Sequence, residues 1–384
     1  LDHFIEHPLA STDFTKHVFQ IYYTFKIIEV RSSTGITAIP SGPLRGMVEL
    51  GPNQIYSNGN KLFSKQRDGW DMSPYTKCPF TQDIHDVQIF QDREGIIWEC
   101  AVQHIIKYNR TFCDTITYSQ SLVRMIPKGE NHFLVLDSDQ NLLLFDKTTA
   151  QFDFIAQAIG EDLNMQMLLD NENRCWLVAN TCVQYIDLDN SSYGFIQLKH
   201  PELYQDFISI DVDPQGRLWL GTFSNGLLVF DTVSEELVHI NESNGLSNNS
   251  VATMLQDSEE DHWIGTYNGI TVVDRNLKIL GHIYEEDGLV NNECNRWSAI
   301  TLSNGNLAFG SIAGLSIIDP VQVKNDISHK SLNKIYLSSV TLPDDRIVQG
   351  SAFLTKLVDN GISLPANNRN LKLSYGLSQY TLPE

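Results

Sequence analysis

Three arginines occupy comparable places in this 384-residue chain: Arg45 in "PLRGM", Arg124 in "SLVRM" and Arg296 in "CNRWSA", the last followed by Trp297. Each lies at the start of an apolar, strand-like run. A guanidinium is a planar fork of donors that grips carboxylate or sulfate with two bonds at once. An indole beside it offers a flat face to the C–H groups of a sugar ring. Acids and amides sit at similar places: Asp83 and His85 in "TQDIHD", and Tyr204, Gln205 and Asp206 in "LYQDF". Two outcomes are open. The arginines converge on one mouth as an anion site, focused against a formal net charge of −20, or they pair with those acids and close it. The first outcome favours an acidic sugar, uronic or sulfated. Asn248-Asn249 and Asn291-Asn292 repeat within "GLSNN" and "GLVNN". Asn249 and Asn292 could bind sugar hydroxyls through their amides, or they could serve the turn backbone alone.

Other chemistry is less supported. Glycoside hydrolysis takes two carboxylates across a bound sugar; Asp83 and Asp206 could supply them, but no local motif marks them. "DLDNSS" at Asp187 has a calcium-loop composition without the glycine and distal glutamate such a loop needs. Neither GxGxxG nor GxxxxGK[ST] occurs, and no histidine-kinase phosphoacceptor motif is present. The expectation is therefore a non-catalytic region with no cofactor and no metal. A sequence pI near 4.8 makes nucleic acid a poor partner. No apolar run reaches the roughly 20 residues that span a bilayer, so membrane attachment would come from a segment outside this chain. The six cysteines form no CxxC pair, and most sit in apolar runs as small core residues.

These residues need a scaffold, and the scaffold repeats. An Asp, a turn and then an aromatic recur in "DREGIIW", "DNENRCW", "DPQGRLW" and "DSEEDHW", ending at Trp98, Trp176, Trp219 and Trp263. From Trp176 onward the steps are 43, 44 and 45 residues, the last to Ala308. Worn copies around Tyr56 and Leu134 bring the total to seven units. Each unit reads as four short strands rich in Val, Ile, Leu and aromatics, separated by Gly, Asn, Asp and Ser turns. Four antiparallel strands at a period of 40 to 50 residues predict an all-β fold, a seven-bladed β-propeller. The Asp is expected to cap the turn, the Trp to fill the space between blades, and Gly221, Gly265 and Gly310 to permit close strand approach.

The ends divide the chain further. Residues 1–40 look like the last strands of an earlier blade, which either closes the ring on "GLSIID" or belongs to another propeller upstream. The propeller is expected over 41–322 and a polar linker over 323–333. Residues 334–384 read as the truncated beginning of a different β-domain.

The unit "GLSNNSV…QD…HWIGT…NGITVVD" resembles the two-component regulator propeller repeat. "NLKLSYGLSQYTLPE", with Tyr375 and Tyr380, is similar to the start of the tyrosine-marked Ig-like domain that follows such propellers. The resemblance implies the extracytoplasmic sensor of a hybrid histidine kinase, in the periplasm, anchored to the inner membrane. It implies an oligosaccharide ligand, control of glycan-utilisation genes, and a homodimer formed through the Ig-like region, a β-sandwich. A diguanylate cyclase sensor and a protein-interaction scaffold are the alternatives.

Overall fold

The computed structural model describes residues 35–57, 60–67, 69–75, 88–158, 166–179, 182–196 and 206–330, together with short strands at 18–19, 335–341, 347–349, 362–363 and 372–377. For 328–330 and those short strands only the backbone is described. The chain divides into two compact units, 33–325 and 1–32 with 326–384.

The first unit is a seven-bladed propeller, each blade a four-stranded antiparallel sheet. The innermost strands of blades 1 to 7 are Met47–Gly51, Ile89–Gln91, Leu122–Lys128, Gln166–Leu169, Phe207–Val212, Val251–Gln256 and Cys294–Thr301. Tyr56 and Leu134 fall on second strands, so the two worn copies are full blades. The outermost strand of blade 7 is Ile36–Pro40, antiparallel to Gly314–Ile318, with Ile36 opposite Ile318. Of the two readings of the N-terminal segment, ring closure is the one realised. Residues from opposite ends of the unit thus share one sheet, which removes the free edges of an open ring.

The repeated Asp and Trp form one device. In blade 5 Asp213 Oδ1 accepts the amides of Gln215 and Arg217, and Oδ2 accepts the Trp219 indole N–H at 2.9 Å. Trp98, Trp176 and Trp263 donate to Asp92, Asp170 and Asp257 at 2.7, 2.8 and 3.0 Å. Three of the indoles then pack on the next blade: Trp98 lies with Met125 and Phe133, Trp176 with Phe207, Leu218 and Leu228, and Trp219 with Val251, Met254 and Ile264. Ala308 holds the Trp position in blade 7, where Leu44, Ile55 and Phe63 of blade 1 fill the seam.

The glycines permit bulges. A Cβ on Gly221 would lie 2.0 Å from Ser209 Oγ, and one on Gly310 would lie 1.9 Å from Ser298 Oγ. Opposite them, and opposite Gly265, the innermost strands change register at their starts, between Phe207 and Ser209, Val251 and Thr253, and Cys294 and Ala299. Bulges of this kind re-aim side chains at a sheet rim.

The stretch expected as a linker from residue 323 instead belongs to a helix, Pro320–Lys330. Proline is suited to the first helical position, and Asp319 caps the turn by accepting the Gln322 amide at 3.1 Å. Lys324 reaches back to the second-strand turn of blade 6, 2.8 Å from Asp257 and 2.7 Å from both Glu259 and Asp261.

In the second unit Ile335–Thr341 pairs antiparallel with Ile347–Gln349 and with Lys372–Leu377, and Val18–Phe19 pairs with Ile362–Ser363. Tyr375 lies on the strand Lys372–Leu377, opposite Leu337; Tyr380 lies outside the described residues.

Candidate functional site

The loops leading into the innermost strands and those joining second to third strands share one face of the propeller, around its central channel. At this mouth lies a cavity of about 230 Å³ lined by Arg124, Gln166, Asp206, Phe207, Ile208, Phe223, Arg296 and Trp297. It joins residues from blades 3, 4, 5 and 7.

Blade 7 brings Arg296 and Trp297 to it through a large bulge. Five steps from Cys294 to Ala299 face two from Ser311 to Phe309, so three residues, Asn295 to Trp297, stand out of the ladder. In blades 5 and 6 the same bulge carries one extra residue. The protrusion is pinned: Asn295 Nδ2 donates to the Leu44 carbonyl at 2.9 Å, and the Gly46 amide donates to the Trp297 carbonyl at 3.1 Å. Trp297 is held at φ 53°, left-handed backbone that costs a non-glycine residue about 1–3 kcal/mol. Its indole N–H donates to Gln166 Oε1 at 3.2 Å.

Arg124 and Arg296 are both brought to this mouth. The Arg124 guanidinium lies 4.3 Å from the Trp297 ring centroid and donates to the Val123 carbonyl at 2.7 Å. Arg296 lies 5.5 Å from the Phe223 ring centroid. Asp206 lines the same cavity, yet among the described residues no carboxylate comes within ion-pair distance of Arg296. The closure expected from arginine–acid pairing is therefore not formed by Arg296 and Asp206.

The remaining candidates fall elsewhere. Arg45 sits at the start of blade 1 but does not line the cavity; its carbonyl lies 3.4 Å from Ser57 Oγ. Asn249 Oδ1 accepts the Glu242 amide at 2.9 Å and Asn292 Oδ1 accepts the Glu285 amide at 2.7 Å. Those amides build the turn, and neither residue lines the cavity. Asp83, His85 and Gln205, with Tyr204, lie outside the described residues. Asp187 spends its carboxylate on the amides of Asp189 and Asn190.

Gln166 and Phe223 were not among the candidates. Phe223 had a signal, since "GTFSNG" and "GTYNG" place an aromatic after the same Gly-Thr; Phe223 and Tyr267 meet edge-on at 5.9 Å. The protrusion also had one: Gly288 to Leu302 spans two more residues than Gly245 to Asp257.

Cysteine chemistry needs one correction. Cys100, Cys175 and Cys294 are buried free thiols, each pushed up to about 12 by burial. Cys113, however, is disulfide-bonded, and is not simply a small core residue.

Residues 245–268 match the family described as two component regulator propeller. Over 229 residues, 56% of this chain and 16% of the relative, the sequence is 28% identical to histidine kinase P4 of Formosa agariphila. Among solved structures, the extracellular domain of a putative hybrid two component system from B. thetaiotaomicron superposes with a TM-score of 0.62 at 16% identity, covering 88% of this chain and 47% of that one. Virginiamycin B lyase from Staphylococcus aureus gives 0.53 at 12% identity, covering 73% of this chain and 98% of the lyase. The chain thus spans under half the length of the kinase and sensor proteins it matches. It carries the two-component regulator propeller repeat on a seven-bladed propeller.

Proposed function

We propose that this chain is a non-catalytic ligand-sensing part of an extracytoplasmic sensor region of a hybrid two-component histidine kinase. Its ligand is an acidic oligosaccharide held at the propeller mouth by Arg296 and Arg124, with Trp297 and Phe223 as apolar walls. The observation that carries this reading is the Arg296 guanidinium, which lines a cavity and has no carboxylate within ion-pair distance among the described residues, on a chain of net charge −20. A carboxylate or sulfate fits that deficit. The Cys113 disulfide supports an oxidising compartment. The cavity holds one carboxylate, Asp206, among the described residues, where glycoside hydrolysis takes two. Signalling needs the ligand to prefer one of two arrangements of a dimer by only a few kcal/mol.

Thermal unfolding of the chain against trigalacturonate and a neutral galactan trisaccharide tests this. A ligand at 100 times its dissociation constant stabilises the fold by about 2.7 kcal/mol. The acidic sugar alone should raise the midpoint, and Arg296→Ala should remove the rise. Equal shifts from both sugars, or none, would overturn the reading.

A further inference from the structure

Below the mouth lies a second cavity, of about 320 Å³, inside the channel. Its wall differs in kind. Ten of its fourteen lining residues are apolar, Phe90, Met167, Ile210 and Met254 among them; the other four, Gln88, Gln166, Ser209 and Thr253, are polar, and no charged side chain lines it among the described residues. Trp297 and Gln166 line both cavities and are hydrogen-bonded to each other at 3.2 Å. That pair is a partition between a cationic chamber and an apolar one, and Trp297 holds its place there on strained, left-handed backbone (φ 53°). A second sugar ring does not suit the lower chamber, because its hydroxyls would be desolvated against apolar walls with few partners.

We infer that the channel is a binding compartment for an apolar group, so that the ligand is an amphiphilic anion. Its carboxylate or sulfate sits at Arg124 and Arg296, and a short acyl or aryl substituent passes Trp297 into the channel. This deepens the acidic-sugar reading and rests on it for the head group: the sugar sensed carries an acyl or aryl ester. Ring displacement of Trp297 from Gln166 admits the substituent. The apolar wall supplies affinity that the exposed mouth lacks, since each buried methylene adds up to about fourfold.

Straight-chain carboxylates from butyrate to dodecanoate, titrated calorimetrically into the 384-residue chain, provide the test. Affinity should climb with chain length and then level off once the chamber is full, and 1-octanol should bind far more weakly than nonanoate. Met254→Ala should move the plateau to longer chains and Met254→Trp to shorter ones; the first keeps the test valid if the second does not fold. Affinity independent of chain length, or a plateau that ignores both variants, overturns the inference. If trigalacturonate binds in that case, the acidic-sugar reading survives alone. If the acids show the length dependence while trigalacturonate is silent, the channel compartment stands and the sugar head group falls. Octanol binding as tightly as nonanoate overturns the role of the arginines.

Discussion

Replacing Lys324 with Met should weaken the propeller more than any exposed charge removal. Lys324 is 14% exposed, and of its three carboxylates Asp257 is 1%, Asp261 11% and Glu259 66% exposed. Breaking a buried pair costs about 3–5 kcal/mol because the surviving charge stays buried; the exposed Glu259 contribution is near the surface range of about 0–1 kcal/mol. Asp257 keeps the Trp263 indole and the amides of Glu259 and Asp261, which places the cost near the lower end, about 3 kcal/mol. For a domain of this size that is about 6 °C in Tm. The pH dependence has a defined sign. Burial works against ionisation of Asp257, but bonds from Lys324, Trp263 and the amides outweigh it and hold the carboxyl below its usual range. Burial likewise works against the Lys324 ammonium, and the three carboxylates raise it well above its ordinary value. The acid's contribution is complete above its unfolded pKa and lost as pH falls through the depressed value. The ammonium's is complete below 10.5 and lost as pH rises through the raised one. The difference between parent and Lys324→Met, measured by thermal and urea unfolding, should be flat through neutral pH and shrink in acid. A variant within about 0.5 kcal/mol of the parent at pH 7 would refute the argument.

Trp219→Phe removes the indole N–H from Asp213 and shrinks the ring stacked on His262 at 3.6 Å; about 2–3 kcal/mol of stability should be lost in urea unfolding. Glu99 is fully buried, with Tyr108 donating to it at 2.9 Å and Oε1 without a partner. Burial raises its carboxyl from 4.5 to about 7 despite that bond. The folded state then holds the proton longer than the unfolded one, so Glu99 costs stability as pH rises from 4.5 to about 7, by about 3 kcal/mol in all. Glu99→Gln should erase that fall, and its difference from the parent should grow from pH 5 to pH 8. His262 acts in the opposite sense: burial lowers its imidazole to about 4, so stability is lost as pH falls below 6.5. Its ring carbons should show no titration by NMR at pH 5.5, where an exposed histidine is mostly protonated.

What the sequence shows and what it hides divide along the repeat. The Asp-turn-Trp spacing carries the blades, because one carboxylate serving two amides and an indole needs those residues at fixed offsets. The mouth is most legible where a residue departs from the repeat, as Arg124, Arg296 and Trp297 do. Asn249 and Asn292 mislead for the converse reason: they repeat because the turn uses them. Arg45 has the position of the other arginines but does not line the cavity. The helix from Pro320 reads as a polar linker because its anchors, Val323 packed by Gly35 and Lys324 bonded to Glu259 and Asp261, have partners more than 60 residues away. Glu99 resembles any strand glutamate until Tyr56 and Tyr108 close over it.

The central claim is that Arg296 faces an anionic ligand across the propeller mouth. Calorimetric titration of trigalacturonate into the parent chain and into Arg296→Ala tests it most directly, with Arg45→Ala as the variant whose arginine lies off the cavity. Saturable binding in the parent and in Arg45→Ala, weakened about tenfold to a hundredfold in Arg296→Ala as expected for one charge-assisted contact, is the predicted result. Binding that Arg296→Ala leaves unchanged, or that Arg45→Ala abolishes instead, would contradict it.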